Sequence, residues 1–179
     1  MNFEILHQVK IIRGEIKDVN NLVLEKECLQ SYKNNKSISL DDTDTRNEDL
    51  IISKNNELNK LFSNIQNLFQ KQFNQKTILQ DFWAQVHGKN ESTNIHDHVN
   101  ILDLNNSPNY SGVYYVKIPK NSGKLVFQYP INKYNQSERY YYEPEVGDFF
   151  LFPSTLDHFV TKNKTNNYRI AISFNLKIK

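Results

Sequence analysis

Two segments in the first half of the chain carry apolar residues at helical spacing. In residues 50–73 the apolar side chains recur at steps of three and four, which places them on one face of a helix. These side chains are Leu58, Leu61, Phe62, Ile65, Leu68, Phe69 and Phe73. Residues 18–32 show a weaker version of this spacing, and Asp18 suits the N-cap position. The pattern therefore predicts helices over 18–32 and 50–73.

The rest of the chain is typical of short strands separated by turns. Loose alternation in residues 3–16 predicts one or two strands before the helices, and the polar stretch 34–49 predicts a loop. After Asn74, β-branched and aromatic residues cluster in short runs. These runs are residues 78–87, 110–118, 124–129, 139–142, 148–152, 159–162 and 168–177. Short strands that follow two helices indicate a mainly β fold, a sandwich or barrel with helices packed on one outer face.

Length and composition indicate a single domain. With 179 residues, 38% of them hydrophobic, and with 11 Phe and 10 Tyr, the chain can bury one substantial core. We expect one domain over residues 1–179, in which 1–76 supplies the N-terminal strands and supporting helices and 77–179 the β core. No apolar run approaches the roughly 20 residues that span a bilayer, and the N-terminal pattern is not that of a secretory signal. We therefore expect a cytoplasmic protein without a membrane partner.

Charge and cysteine content narrow the possible chemistry. The net charge is +2, with acidic and basic residues interspersed, which argues against a nucleic-acid partner. The single cysteine, Cys28, excludes both an internal disulfide and a cysteine-rich zinc site. A metal in this protein must therefore be bound by histidines and carboxylates.

The histidines form a metal-site pattern. His96 and His98 are two residues apart, and His158 follows sixty residues later. In extended backbone, residues two apart share a face, so both rings can converge on one ion. The intervening Asp97 then points away, although a tight turn would remove this argument. We rank a site of His96, His98 and His158 first, and a site of His96, Asp97 and His158 second.

A simpler reading of these histidines also exists. An isolated His-x-His motif is often a pair of surface histidines in a loop, or of hydrogen-bonded histidines in a core. We assign that ordinary role to His7 and His87.

Arg169 lies on a strand whose two faces differ in character. Alternation places Arg169, Ala171, Ser173 and Asn175 on one face and Ile170, Ile172, Phe174 and Leu176 on the other. A polar face is unusual for a strand buried in a small sandwich unless it faces a pocket. A guanidinium group there would bind a carboxylate of a small anionic molecule. The alternative is an ordinary salt bridge with Asp148, Glu143 or Glu145.

Taken together, these segments resemble the iron(II)- and 2-oxoglutarate-dependent dioxygenases, and within them a prolyl-hydroxylase-like branch of small oxygenases. The matching strings occur in the right order over about the last hundred residues. They are FWAQV at 82–86, NIHDH at 94–98, SGVYYVKIP at 111–119, SGKLVFQYP at 122–130, VGDFFLFPSTLDHFV at 146–160 and YRIAISFN at 168–175. The resemblance implies a double-stranded β-helix, the jelly-roll or cupin-like fold, supported by the two upstream helices.

The resemblance also implies roles for individual residues. His96, His98 and His158 match the metal-ligand positions, and Arg169 matches the residue that binds the far carboxylate of 2-oxoglutarate. Tyr115 matches a strand position whose hydroxyl assists that carboxylate, and Ser173 lies on the Arg169 face, where its hydroxyl could help.

Two features depart from the family pattern. Position 98 is His where most of the superfamily has Asp. The Asn-rich stretch 99–110 is longer than expected after the metal loop and suits a lid or a substrate loop.

The implied function is hydroxylation of an unactivated C–H bond of a small-molecule or peptidyl substrate. The cofactors would be Fe(II), 2-oxoglutarate and O2, with release of succinate and CO2. Two alternatives remain open from the residues alone. One is a cupin-like three-histidine metalloprotein that does not use 2-oxoglutarate, and the other is a non-catalytic jelly-roll binding or structural module. Neither the substrate nor the oligomeric state can be deduced from the sequence.

Overall fold

A computed structural model describes residues 8–35, 55–130 and 136–179. Over these residues the chain forms two helices, α1 (Asn21–Asn35) and α2 (Asn56–Phe73), and nine strands. The strands are β1 (Ile12–Glu15), β2 (Thr77–His87), β3 (Thr93–His96), β4 (Tyr110–Lys117), β5 (Leu125–Pro130), β6 (Ser137–Tyr142), β7 (Asp148–Pro153), β8 (His158–Val160) and β9 (Arg169–Ile178). No helix in this part of the chain is long and apolar enough to cross a membrane.

The strands form two antiparallel sheets. A five-stranded sheet has the order β1-β7-β4-β9-β2, and a four-stranded sheet has the order β3-β8-β5-β6. Strands distant in sequence are neighbours in both sheets, as when β2 pairs with β9 from Thr77 opposite Ile178 to His87 opposite Arg169. This architecture confirms the predicted double-stranded β-helix with two supporting helices.

The helices cover the outer face of the five-stranded sheet. Apolar side chains of α1 and α2 pack against the outward residues of β4, β7 and β9. The α2 residues Leu58, Leu61, Phe62, Ile65 and Phe69 are buried, which confirms the predicted apolar face. At the centre of this layer, the ring of Phe62 contacts the ring of Phe174 edge to face at a centroid distance of 5.6 Å. Burying side chains of this size stabilises a fold by roughly 1.5–3 kcal/mol each.

Both helices begin later than the periodicity predicts. The α1 N-cap is Asn20, whose Oδ1 accepts the backbone N–H of Leu22 at 3.1 Å, and not the predicted Asp18. The α2 N-cap is Asn55, in extended conformation with φ −125°, and its side chain accepts the N–H groups of Glu57 and Leu58. Apolar spacing places a helix face but not its end, because the end depends on which side chain satisfies the first free N–H groups.

A second core lies between the two sheets. The inward face of β9 carries the alternating set predicted from the sequence, and Ala171 packs there with residues of β4, β5 and β7. The opposite face of β9 contributes Ile170, Ile172, Phe174 and Leu176 to the helix layer. Because the strand is buried on both faces, the polar residues Arg169, Ser173 and Asn175 lie inside the β-helix.

The structure confirms most of the predicted strands and adds one that was not predicted. The predicted strand in residues 3–16 is β1, at Ile12–Glu15, and the remaining strand predictions agree with the structure to within about three residues at each end. Strand β3 was not predicted, because four residues rich in polar side chains carry little periodicity. Most of the predicted loop 34–49, and residues 50–54 of the predicted helix, lie outside the described residues.

Candidate active site

Three histidines meet where the four-stranded sheet faces the other sheet. His96 ends β3, His158 opens β8, and the two residues are direct partners in the antiparallel pairing. His98 follows in the loop after β3, where its backbone N–H donates to the carbonyl of Ser154 at 2.9 Å. Strand pairing therefore brings together two residues, His96 and His158, that are 62 positions apart in sequence.

The ring nitrogens of these histidines converge. One possible ligand nitrogen from each of His96, His98 and His158 lies within 4.8 Å of the other two. Among the described residues, no other three His, Cys, Asp or Glu side chains are grouped so that they could hold a metal ion. The Nε2 atoms of His98 and His158 are 3.2 Å apart. Two nitrogens bound in adjacent positions of one octahedral ion at about 2.1 Å are roughly 3.0 Å apart. The spacing therefore fits a shared metal ion.

Backbone carbonyls hold two of the rings in the form that binds metals. His96 Nδ1 lies 2.7 Å from the carbonyl oxygen of Asn94, and His158 Nδ1 lies 2.9 Å from that of Leu156. A carbonyl only accepts, so Nδ1 carries the proton and Nε2 keeps its lone pair. Burial lowers the pKa of His158 to about 3, and the neighbouring His96 adds to this effect. The His158 imidazole is therefore neutral, as a metal ligand must be.

Asp97 lies outside this cluster. Its side chain is exposed, and its Oδ1 accepts the backbone N–H of Val99 at 2.9 Å in a local turn. His98 instead packs beside Trp83, with ring centroids 5.4 Å apart. The three histidines that converge are those of the first-ranked set. The backbone is not extended strand from Asp97 onward, because β3 ends at His96.

A cavity extends from the histidines between the sheets. Its walls combine the three rings with apolar side chains and a few hydroxyl and amide groups. The lining residues are Gln85, Thr93, His96, His98, Gly112, Val113, Tyr115, Leu125, Phe152, His158, Val160 and Ser173. Tyr115 and Ser173, both predicted from the sequence, therefore lie at the same cavity as the histidines.

Arg169 is buried behind the Tyr115 wall of the cavity. Its side chain is inaccessible to solvent, and its Cζ atom lies 5.1 Å from the centre of the Tyr115 ring. The three guanidinium nitrogens make no hydrogen bond within normal limits among the described residues, and neither does the Tyr115 hydroxyl. A buried, unpaired cation is costly, which makes this arrangement a strong candidate for an anion site.

The acids considered as partners of Arg169 pair elsewhere or form no ion pair with it. Asp148 binds Arg13 at 2.7 Å, and Glu143 binds Lys124 at 2.5 Å. No salt bridge of Arg169 occurs in the described part of the chain, with Glu145 or with any other acid. The ordinary salt-bridge interpretation of Arg169 is therefore wrong.

Burial perturbs both members of the Arg169 and Tyr115 pair. Desolvation raises the pKa of Tyr115 to about 12, although the neighbouring Arg169 cation opposes this shift. Desolvation also lowers the pKa of Arg169. At neutral pH the tyrosine therefore keeps its O–H proton, and the pair presents hydrogen-bond donors next to a positive charge.

Two further polar residues lie in this region, and His87 has the role of a hydrogen-bonded core histidine that was one of the two assigned to it from the sequence. His87, expected to have an ordinary role, is fully buried and is the direct β-sheet partner of Arg169. Its Nε2 lies 3.1 Å from Oγ1 of Thr93, which lines the cavity. The available signal was its place at the end of a strand predicted to pair inside the β-helix. His7 lies outside the described residues.

The loop between His98 and β4 is held by a lysine side chain of β9. Lys177 Nζ donates to the carbonyls of Asn105 and Ser107, both at 2.6 Å. The apolar side chains of the loop nevertheless point to solvent, with Ile101 82% and Leu102 94% exposed.

Solved structures with a similar fold include two prolyl hydroxylases and an oxidoreductase of the 2OG-Fe(II) oxygenase family. A prolyl-4-hydroxylase from Pseudomonas putida aligns at a TM-score of 0.61 with 12% identity, over 94% of this chain and 88% of that chain. A Trichoplax adhaerens prolyl hydroxylase in complex with a hypoxia inducible factor peptide fragment aligns at 0.67 with 14% identity, over 94% and 83%. An oxidoreductase of the 2OG-Fe(II) oxygenase family from Burkholderia pseudomallei aligns at a TM-score of 0.53 with 12% identity. That alignment covers 68% of this chain and only 56% of the Burkholderia protein.

The fold and the histidine cluster together define a non-haem iron oxygenase of the double-stranded β-helix class. A family model described as "Putative 2OG-Fe(II) oxygenase" matches residues 81–175, more than half of the chain. The chain belongs to this family, whose members use Fe(II), 2-oxoglutarate and O2. No curated protein matches the chain.

Proposed function

We propose that this protein is a hydroxylase that couples the oxidation of 2-oxoglutarate to hydroxylation of an unactivated C–H bond. One oxygen atom of O2 enters succinate and the other enters the product, while one carbon of 2-oxoglutarate leaves as CO2. The observation that carries the proposal is the unpaired Arg169 cation, buried behind a cavity lined by three converging histidines.

In this proposal His96, His98 and His158 bind iron through their Nε2 atoms. Three ligands from the protein would leave the metal able to bind the 2-oxo acid and O2 as well. Bound iron supplies the activation of O2 and of the 2-oxo acid. The protein holds the ligand rings through the carbonyls of Asn94 and Leu156, and the apolar wall around them limits access of water.

Arg169, Tyr115 and Ser173 would bind the far carboxylate of 2-oxoglutarate. The guanidinium group supplies charge and unused N–H donors, and Tyr115, whose ring lies beside it, lines the cavity. Ser173 is 7% exposed and adds a hydroxyl on the same face of β9. This arrangement fixes one end of the molecule and leaves its 2-oxo acid end for the metal.

The substrate is proposed only as a class. Prolyl hydroxylases are among the proteins with a similar fold, which supports a peptidyl or small-molecule substrate with an unactivated C–H bond. The exposed Ile101 and Leu102 in the 99–110 loop suit a substrate loop at the rim of the site.

The test is an anaerobic titration of the metal-free protein with Fe(II) and then with 2-oxoglutarate. A weak visible charge-transfer band should appear only when both are bound. Loss of the band in His98→Ala together with its retention in Asp97→Ala would assign the third ligand. Arg169→Met should bind iron normally but need far more 2-oxoglutarate, whereas Arg139→Met, an exposed arginine outside the cavity, should behave like the wild type.

Two results would contradict the proposal. Iron binding without a band at any 2-oxoglutarate concentration would exclude bidentate binding of the 2-oxo acid. Normal 2-oxoglutarate binding by Arg169→Met would exclude Arg169 as the carboxylate partner.

A further inference from the structure

We propose that Thr93, positioned by His87, is an additional hydrogen-bond donor to the far carboxylate of 2-oxoglutarate. This inference rests on the proposed function and extends its anion site from the five-stranded sheet to the facing sheet. Tyr115 and Arg169 belong to β4 and β9, whereas Thr93 belongs to β3. A donor from β3 would grip the carboxylate from the opposite wall of the cavity.

The His87–Thr93 pair has one more donor hydrogen than its own contact uses. A neutral imidazole has one N–H, and threonine has one O–H, so the pair holds two donor hydrogens. The contact between His87 Nε2 and Thr93 Oγ1 uses only one of them, and His87 Nδ1 has no partner. Whichever residue donates in this contact, one buried donor hydrogen remains unused.

The buried His87 ring carries no charge at physiological pH. Burial lowers its pKa to about 3, and the charge of Arg169 lowers it further. The ring is therefore neutral at physiological pH and does not compete with Arg169 for the anion. We place the single proton of this neutral ring on Nε2, the nitrogen that faces Thr93. His87 then donates to Thr93, and the threonine O–H is the donor left unused.

Of the two residues, Thr93 is the one that lies at the cavity. Thr93 is 3% exposed and lines the cavity with Tyr115 and Ser173, whereas His87 does not line it. The His87 backbone is held in turn, because its carbonyl accepts the side-chain N–H of Asn163 at 3.0 Å. Thr93 is therefore the member of the pair that can touch a ligand, and His87 is a positioning residue that fixes the direction of its hydroxyl.

The test compares two 2-oxo acids that differ only at the far end. 2-Oxoglutarate carries the far carboxylate, and 2-oxopentanoate ends in a methyl group instead. Binding of each to the Mn(II)-loaded protein is measured by calorimetry without O2, after the Mn(II) affinity of every variant has been checked. This readout does not depend on turnover.

Thr93→Val removes the hydroxyl at nearly constant volume. It should weaken 2-oxoglutarate binding about tenfold or more, as expected for a hydrogen bond to a charged group, and leave 2-oxopentanoate binding unchanged. Thr93→Ser should restore binding to within about threefold of the wild type. His87→Phe should weaken 2-oxoglutarate binding less than Thr93→Val, and the double variant should be no weaker than Thr93→Val alone.

The outcomes separate this inference from the proposed function. If the wild type binds 2-oxoglutarate and Thr93→Val binds it equally well, the inference is wrong and the proposed function stands. Equal weakening of both 2-oxo acids in Thr93→Val would also overturn it, because the effect would then be on the metal end or on the fold. If the wild type binds no 2-oxoglutarate, the proposed function itself fails.

Discussion

Replacing Arg169 with methionine should stabilise the ligand-free protein while removing its response to 2-oxoglutarate. Arg169 is fully buried, and its guanidinium nitrogens have no hydrogen-bond partner among the described residues. Methionine keeps most of the aliphatic volume but carries no charge. The substitution therefore removes a desolvation cost without opening a large cavity.

The size of the effect follows from buried ion groups in other proteins. Replacing such groups with apolar residues of similar volume is often stabilising by about 1–4 kcal/mol. We expect about 2 kcal/mol here, which for a domain of this length raises Tm by roughly 4–8 °C. The gain should appear as a higher urea midpoint with an unchanged slope, because the surface exposed on unfolding stays nearly the same.

The assay is urea unfolding at pH 7, with EDTA and then with Mn(II) and 2-oxoglutarate. A ligand at one hundred times its Kd stabilises the wild type by about 2.7 kcal/mol. The wild type should therefore become more stable than the variant once ligand is present, so that the order of the two midpoints reverses. Arg13→Met is the matched control, because Arg13 is paired with Asp148 and its loss should lower stability.

A lower midpoint for Arg169→Met in EDTA would refute this reasoning. It would mean that the guanidinium group is satisfied in the ligand-free protein. An equal stabilisation of both proteins by 2-oxoglutarate would separately show that Arg169 does not bind the ligand.

Two further predictions concern the frame of the site. Gly123→Ala should destabilise the protein by about 1–3 kcal/mol in urea unfolding, because φ is +104° and a Cβ would lie 2.3 Å from the carbonyl oxygen of Thr161. Gly88→Ala, whose Cβ would make only ordinary contacts, should change it by less than about 0.5 kcal/mol, and equal effects would contradict the steric argument. The folded-state pKa of His87, about 3, lies below its unfolded value, so the unfolded chain binds more protons and stability falls as pH decreases from 6.5 towards 3. The fall should be shallower in His87→Phe by about 1.4 kcal/mol per pH unit, measured in EDTA, and parallel curves would exclude this titration.

Local patterns were sufficient for every described element except β3, and for the faces of α2 and β9. The spacing of Leu58, Phe62, Ile65 and Phe69 predicted the buried face of α2, because a helix repeats every 3.6 residues whatever it packs against. Alternation along β9 likewise predicted that Arg169 faces the interior, because successive strand residues point to opposite faces. The order of motifs around the histidines supplied the fold and the iron and 2-oxoglutarate chemistry through resemblance.

Contacts between distant residues were decided only by the tertiary structure. Whether Asp97 or His98 turns towards His158 depends on where β3 ends, and four polar residues do not predict that point. Whether Arg169 meets an acid depends on the partners of Asp148 and Glu143, which pair with cations elsewhere. Each of these contacts is set by strand register across the two sheets, and register arises from the packing of the whole core and not from any one segment.

His87 shows the same limit most clearly. From the sequence it was an ordinary histidine, and only the pairing of β2 with β9 places it beside Arg169. Its neutrality comes from burial and from that neighbouring charge. The sequence by itself thus determined which residue types line the interior, whereas the tertiary structure decided which of them meet, because burial and charge act through space between strands that are far apart along the chain.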